Sequence, residues 1–222
     1  MFAHLCTIFK RYPEMYDLFD FNLPLFQFAL LKSDSFDLEA TVLFEQEIEL
    51  LNLRSNPKRK IEFLGVRHLR NQLIINSPIL YQPSGKPYFS AVEKALSVSH
   101  SKDYIALACW TFPIGIDIEQ KERDATNIIN KFALEDEKIL CADHPKEWYL
   151  QLWCAKEAIY KLVGLENLSF KNEIHIHSRR KKEETTFLDA RVHQGTQIHE
   201  IEVQIRETAD LYLVIAYFKV AP

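Results

Sequence analysis

Gly115-Ile116-Asp117-Ile118-Glu119 decides how the rest of this chain is read. Ile114, Ile116 and Ile118 alternate with Asp117 and Glu119, so the segment predicts a β-strand carrying two carboxylates on one face. An isolated pair of this kind most often marks a solvated face. Here the strand is otherwise apolar, and two anions on a covered face need a compensating cation. A second segment, Trp153-Cys154-Ala155-Lys156-Glu157-Ala158-Ile159-Tyr160-Lys161, reads as a helix. Trp153, Glu157 and Lys161 are spaced by four and share one stripe of it. Taken alone, Glu157 and Lys161 are an ordinary helical ion pair. Converging with Asp117 and Glu119, they make a donor set for a hard divalent metal holding a phosphate-bearing substrate.

The composition is that of a packed globule. Of 222 residues, 47% are hydrophobic and 12% aromatic, enough for one large domain or two small ones. The net charge of −4 gives no general nucleic-acid signature, although Arg54, Lys58, Arg59, Lys60, Arg67 and Arg70 form a local basic run able to receive phosphates. Cys6, Cys109, Cys141 and Cys154 lack metal-ligand spacing; Cys109 and Cys154 lie in apolar runs and read as buried thiols in a reducing cytoplasm. The N-terminus reaches Lys10 and Arg11 before a secretory core develops, and the apolar run Leu211 to Phe218 is too short to span a bilayer.

Around the two motifs the chain alternates helices and strands. Phe19, Phe21, Leu23, Leu25, Phe26 and Phe28 suggest early strand or loop, and Ser35 to Leu53 is helix-like or mixed. Ser55-Asn56-Pro57 caps a helix from about Lys58 to Ile74, and Tyr81 to Phe89 reads as a turn with two prolines and a glycine. Strands follow at Leu96 to His100 and Tyr104 to Trp110. Short helices near 125–131 and 134–141 precede a long one from Pro145 to Val163, stopped by Gly164. From Phe170 onward the sequence is strand material, with Ser178 to Glu184 as a charged hairpin tip. His175 and His177 alternate there on a solvated face. Helices followed by antiparallel strands occur twice, which predicts an α+β fold. The expected subdomains are 1–110 and 111–222, two similar units each with a small antiparallel sheet packed with helices, joined near Trp110 to Pro113. No residue-level repeat stands out.

Four weak signals come in a definite order: Gly85-Lys86-Pro87, Ser99-His100-Ser101, the Asp117/Glu119 strand, then Trp153-x-x-Lys156-Glu157-Ala158-x-x-x-Lys161. Together they resemble the 4'-phosphopantetheinyl transferase superfamily, in its two-domain, surfactin-synthetase-activating type. The likeness spans about Lys58 to Phe170. One departure is Val163-Gly164-Leu165-Glu166, where the family often has a Gly-Lys-Gly-Leu turn.

The resemblance implies a pseudo-dimer with its active site in the cleft between the subdomains. It implies an Mg²⁺-dependent holo-carrier-protein synthase that moves the 4'-phosphopantetheine arm of coenzyme A onto a serine of an apo acyl or peptidyl carrier protein and releases adenosine 3',5'-bisphosphate. Asp117, Glu119 and Glu157 would ligate the metal, and Glu157 would take the serine proton. Lys161 would steady the pyrophosphate and Lys156 could reach a second phosphate. Ser99, His100 and Arg59 would meet the 3'-phosphate region, and Lys86 with Pro87 would border the nucleotide. A carrier's acidic helix would dock near Asp124 to Phe132. The implied protein is cytoplasmic and monomeric, with no nucleic-acid or membrane partner. Two rivals remain: a weak homologue that binds coenzyme A or a carrier without transfer, and another Mg²⁺-dependent phosphotransferase or nuclease, which lacks a P-loop here.

Overall fold

The computed structural model describes residues 25–219. Cys6 and the positions Phe19, Phe21 and Leu23 of the expected early strand or loop lie outside them. The chain opens with strand β1 (Gln27–Lys32) and helices α1 (Glu45–Asn52) and α2 (Pro57–Gln72). Strands β2 (Ile79–Tyr81), β3 (Pro87–Phe89), β4 (Ala95–Ser101) and β5 (Tyr104–Trp110) follow, and then β6 (Gly115–Gln120). Short helices α3 (Ile129–Phe132) and α4 (Glu135–Lys138) lead to the long helix α5 (Pro145–Val163). The meander β7 (Ile174–Lys182), β8 (Thr185–Gln194), β9 (Gln197–Glu207) and β10 (Leu211–Phe218) closes it.

Local chemistry sets the long helices. The Asn56 side chain accepts the Arg59 N–H and Pro57 takes the first turn of α2, where its missing donor costs nothing. Helix α5 likewise starts on a proline and ends at Gly164, whose φ of 67° is the left-handed stop that glycine adopts without strain. The helix-like or mixed stretch from Ser35 to Leu53 is helical only in α1, because Asp37 Oδ1 accepts the N–H groups of Glu39 and Ala40 and holds its start as a turn. The expected turn at Tyr81 to Phe89 narrows to a loop at 82–86, because Tyr81 and Pro87 to Phe89 pair in a two-stranded ladder, β2 on β3.

Two larger antiparallel sheets carry the architecture. One has the order β1-β5-β4 and the other β6-β10-β9-β8-β7. In each, the first strand pairs with the last, and the last with the one before it. Helix α2 packs on the first sheet through Val66, Leu69 and Leu73, against Leu96, Ile105 and Leu107. Helix α5 packs on the second through Leu152, Ala155, Ala158 and Ile159, against Val203, Val214 and Ala216. The other faces of the two sheets meet in a third cluster of Ala106, Ala108, Trp110, Ile116, Ile118, Leu213 and Ile215. No described helix is long and apolar enough to cross a membrane.

A buried glutamate ties each long helix to its surroundings in the same way. Glu47, third in α1, accepts the N–H groups of Phe44 and Ile79 and pairs with Arg70 (2.6 Å) and Arg67 (3.1 Å) of α2. Glu137, third in α4, accepts the N–H groups of Leu134 and Ile176 and pairs with Lys156 (2.7 Å) of α5. Both sets are enclosed, and backbone carbonyls, the Tyr81 hydroxyl and the Asn71 side-chain oxygen take the remaining donors of the cations. This corrects the reading of the basic run: Arg67 and Arg70 are fully buried and cannot receive phosphates. Cys109 and Cys154 are buried free thiols as expected, and burial pushes Cys109 up to about 11.

Candidate active site

Gly115 is where the site begins. A Cβ there would lie 1.9 Å from the Ala158 carbonyl oxygen and 2.5 Å from the Leu162 nitrogen, so only glycine lets α5 press this closely on β6. The approach carries Lys161 onto Asp117. Its ammonium donates to Asp117 Oδ1 at 2.7 Å and to Ser99 Oγ at 3.0 Å. Asp117 Oδ2 is buried without a hydrogen-bond partner. Glu119 pairs with Arg123 and accepts from Ser101 Oγ at 2.9 Å. Glu157 makes no hydrogen bond or ion pair among the described residues. Burial raises its carboxyl above the ordinary range, and the charge of Asp117 raises it further, against the pull of Lys161 and Arg123. The acids thus share one side of β6 and α5, but no three metal-binding side chains are gathered into one cluster among the described residues.

Beside the acids a cavity of about 410 Å³ opens between α2, the β2–β3 turn, β4 and the end of α5. Its wall includes Arg59, Lys86, Pro87, His100 and Lys161 from the predicted set. Lys86 crosses to α5 and donates to the Leu162 carbonyl at 3.4 Å, capping an unsatisfied helix end; burial lowers its pKa. Arg59, mostly exposed, pairs with Glu62 at 2.8 Å. His100 is lowered by burial, and the charges of Lys161 and Arg59 add to this while Glu62 and Asp117 oppose it, so the imidazole is largely neutral at pH 7. Arg54, Arg59, Lys86 and Lys161 outnumber Glu62 and Glu166 on the wall, and the cavity suits a polyanion.

Two predicted contacts are corrected. Lys156 is fully enclosed, donating to Glu137 and to the carbonyls of Phe132, Phe170 and Ile174, each at 2.8 Å. With its donors spent on the far side of α5, it reaches no phosphate. Ser99 is 2% exposed and lies behind β4, facing β6 rather than the cavity. The wall residues Glu62, Phe63, Tyr81 and Tyr160 were not foreseen. Glu62 had a usable signal, lying one helical turn from Arg59. The others have none.

The family profile described as the 4'-phosphopantetheinyl transferase superfamily matches residues 113–213. Those residues, just under half of the chain, hold β6, α5 and both motifs, and are similar to that superfamily. The chain is 35% identical over 88 residues to the 4'-phosphopantetheinyl transferase of Bacillus subtilis, covering 37% of this chain and 39% of that protein. It is 26% identical over 167 residues to the 4'-phosphopantetheinyl transferase gsp of Aneurinibacillus migulanus, covering 63% of this chain and 70% of the relative. The superfamily match covers the acidic strand and the α5 stripe, whereas most of the cavity wall lies before residue 113.

Proposed function

We propose that this chain transfers the 4'-phosphopantetheine of coenzyme A to a serine hydroxyl of an apo acyl or peptidyl carrier protein. The observation that carries the reading is Lys161: one ammonium joins the cation-rich cavity to the acidic side of β6. The cavity would take the nucleotide end of coenzyme A, with Arg59 and His100 toward the 3'-phosphate and Lys86 with Pro87 beside the nucleotide. The two sheets with their helices then act as similar subdomains, and the reacting pyrophosphate lies in the cleft between them. Both walls come from one chain, so a monomer suffices. A reducing cytoplasm suits the buried thiols.

The acids fit a hard divalent cation such as Mg²⁺. Asp117 Oδ2 is an orphaned buried oxygen, and the charge of Asp117 adds to burial in raising the Glu157 carboxyl, which has no ion-pair partner of its own. Asp117, Glu119 and Glu157 would hold it, and when bound it would neutralise pyrophosphate charge. Glu157, directly or through water, accepts the proton of the carrier serine. The serine oxygen forms a bond to the phosphorus bearing pantetheine. The anhydride bond to the adenylate side breaks, and adenosine 3',5'-bisphosphate leaves with that electron pair. Lys161 steadies the charge it gains. A carrier's acidic helix docks near Asp124 to Phe132, where Lys131 offers a cation.

Incubation with Mg²⁺, coenzyme A and a panel of apo carriers tests this by mass spectrometry. The expected result is the gain of one phosphopantetheine, lost with chelator and in Glu157→Ala. Coenzyme A binding with no mass gain on any carrier would replace transfer by binding alone.

A further inference from the structure

The strand β4 meets β6 through serine hydroxyls instead of backbone carbonyls. The N–H groups of Ile116, Ile118 and Gln120 donate to Ser97, Ser99 and Ser101 Oγ at 2.9, 3.2 and 3.2 Å. Those serines alternate along β4, so all three face β6. Two of them do more. Ser99 Oγ lies 2.7 Å from Asp117 Oδ1, and Ser101 Oγ lies 2.9 Å from Glu119 Oε2.

The direction of these bonds is forced. A backbone N–H and the Lys161 ammonium can only donate, so the hydroxyl oxygens accept from them. The single hydroxyl proton is then left for the carboxylate. Ser99 therefore saturates Asp117 Oδ1 together with Lys161 and leaves Oδ2 as the open oxygen. Ser101 fixes Glu119 through Oε2 in the same way. Ser97 makes the same bond to β6 but has Gly115 in the corresponding place, and so has no carboxylate to orient.

We infer that Ser99 and Ser101 are positioning residues that set which oxygens of Asp117 and Glu119 face the reaction. This rests on the metal-assisted transfer described above. It gives the half without the acids control over their orientation, and it makes Ser97 an internal control. The loss of a hydrogen bond that orients a metal-binding carboxylate weakens metal binding about 10-fold or more.

The test is Mn²⁺ binding to the full chain without coenzyme A, read from the free-Mn²⁺ electron paramagnetic resonance signal. Ser99→Ala and Ser101→Ala should each weaken binding about 10-fold, and Ser97→Ala should change it less than about 2-fold. Ser99→Thr, which keeps the hydroxyl, should restore most of the affinity. In transfer assays both alanine variants should need more Mg²⁺ while the KM for coenzyme A stays unchanged. Equal weakening by all three alanine variants would reduce the serines to a strand ladder and overturn the inference, as would wild-type affinity in Ser99→Ala and Ser101→Ala. If Ser99→Ala fails to fold, the comparison of Ser101→Ala with Ser97→Ala decides alone. A wild-type chain that binds no Mn²⁺ and transfers nothing would instead overturn the functional reading, a different result.

Discussion

Lys156 and Glu157 are sequence neighbours with opposite fates. A helix turns about 100° per residue, so one points into the packing against α4 and β7 while the other borders the site. Lys156→Met strands the Glu137 carboxylate among carbonyl oxygens, and breaking such a pair costs about 3–5 kcal/mol. A large fall in the urea midpoint is expected, with coenzyme A affinity kept in the folded fraction. Weaker coenzyme A binding at unchanged stability would return Lys156 to the cavity. Glu157 gives a pH signature. Its folded carboxyl holds its proton above the ordinary 4.5 of the unfolded chain, so the native state binds more protons just above that pH. Stability therefore falls as pH rises through that window and levels off once the folded group has ionised. Glu157→Gln, in chelator, should be more stable than wild type at pH 7 and no more stable at pH 4. Equal stabilities at pH 7 would contradict the raised carboxyl. The sequence could not separate these two neighbours. It fixed their angle around the helix but not which side the loops carrying Phe132, Phe170 and Ile174 would cover.

Among elements, legibility followed local signals. Asn56-Pro57 and Pro145 with Gly164 marked α2 and α5 to within about two residues, because caps and prolines act on their own neighbourhood. Most strands of the second sheet were equally plain from alternation. Strand β7, however, runs on to Lys182, so the expected charged hairpin tip from Ser178 to Glu184 is strand except at 183–184, and Arg180 pairs across the ladder with Asp189 of β8. The face of β4 was not. Ser99 and His100 are adjacent and take opposite sides of the strand, and only the arrival of β6 decides which side faces the acids. The matched glutamates were also hidden. Glu47 and Glu137 sit alike in their helices, but their cations are arginines in one half and a lysine in the other. At this scale Gly115 is the most exposed to test. Gly115→Ala forces α5 away from β6 and, as an overpacked contact, should cost about 1–3 kcal/mol. Because α5 carries Glu157 and Lys161, a shift of about 1 Å should also lower transfer by about 10²-fold. A melting temperature and transfer rate equal to wild type would mean that α5 does not depend on this contact.

For the whole molecule, the third hydrophobic cluster joins the two sheets back to back, with Trp110 inside it. Trp148 and Trp153 belong to the core under α5. The two halves should therefore unfold together, and tryptophan fluorescence and far-ultraviolet circular dichroism should give one coincident urea transition. Two separated transitions would show that the sheets part before either unfolds.

The hydroxyl contacts between β4 and β6 have a further consequence. Every second amide of β6 on that side is occupied by a serine, so neither strand presents a bare rim to another molecule. Parting the halves would uncover a row of unmatched donors, which is a template for edge-to-edge association. The junction thereby keeps these two sheet edges covered as long as the halves stay together.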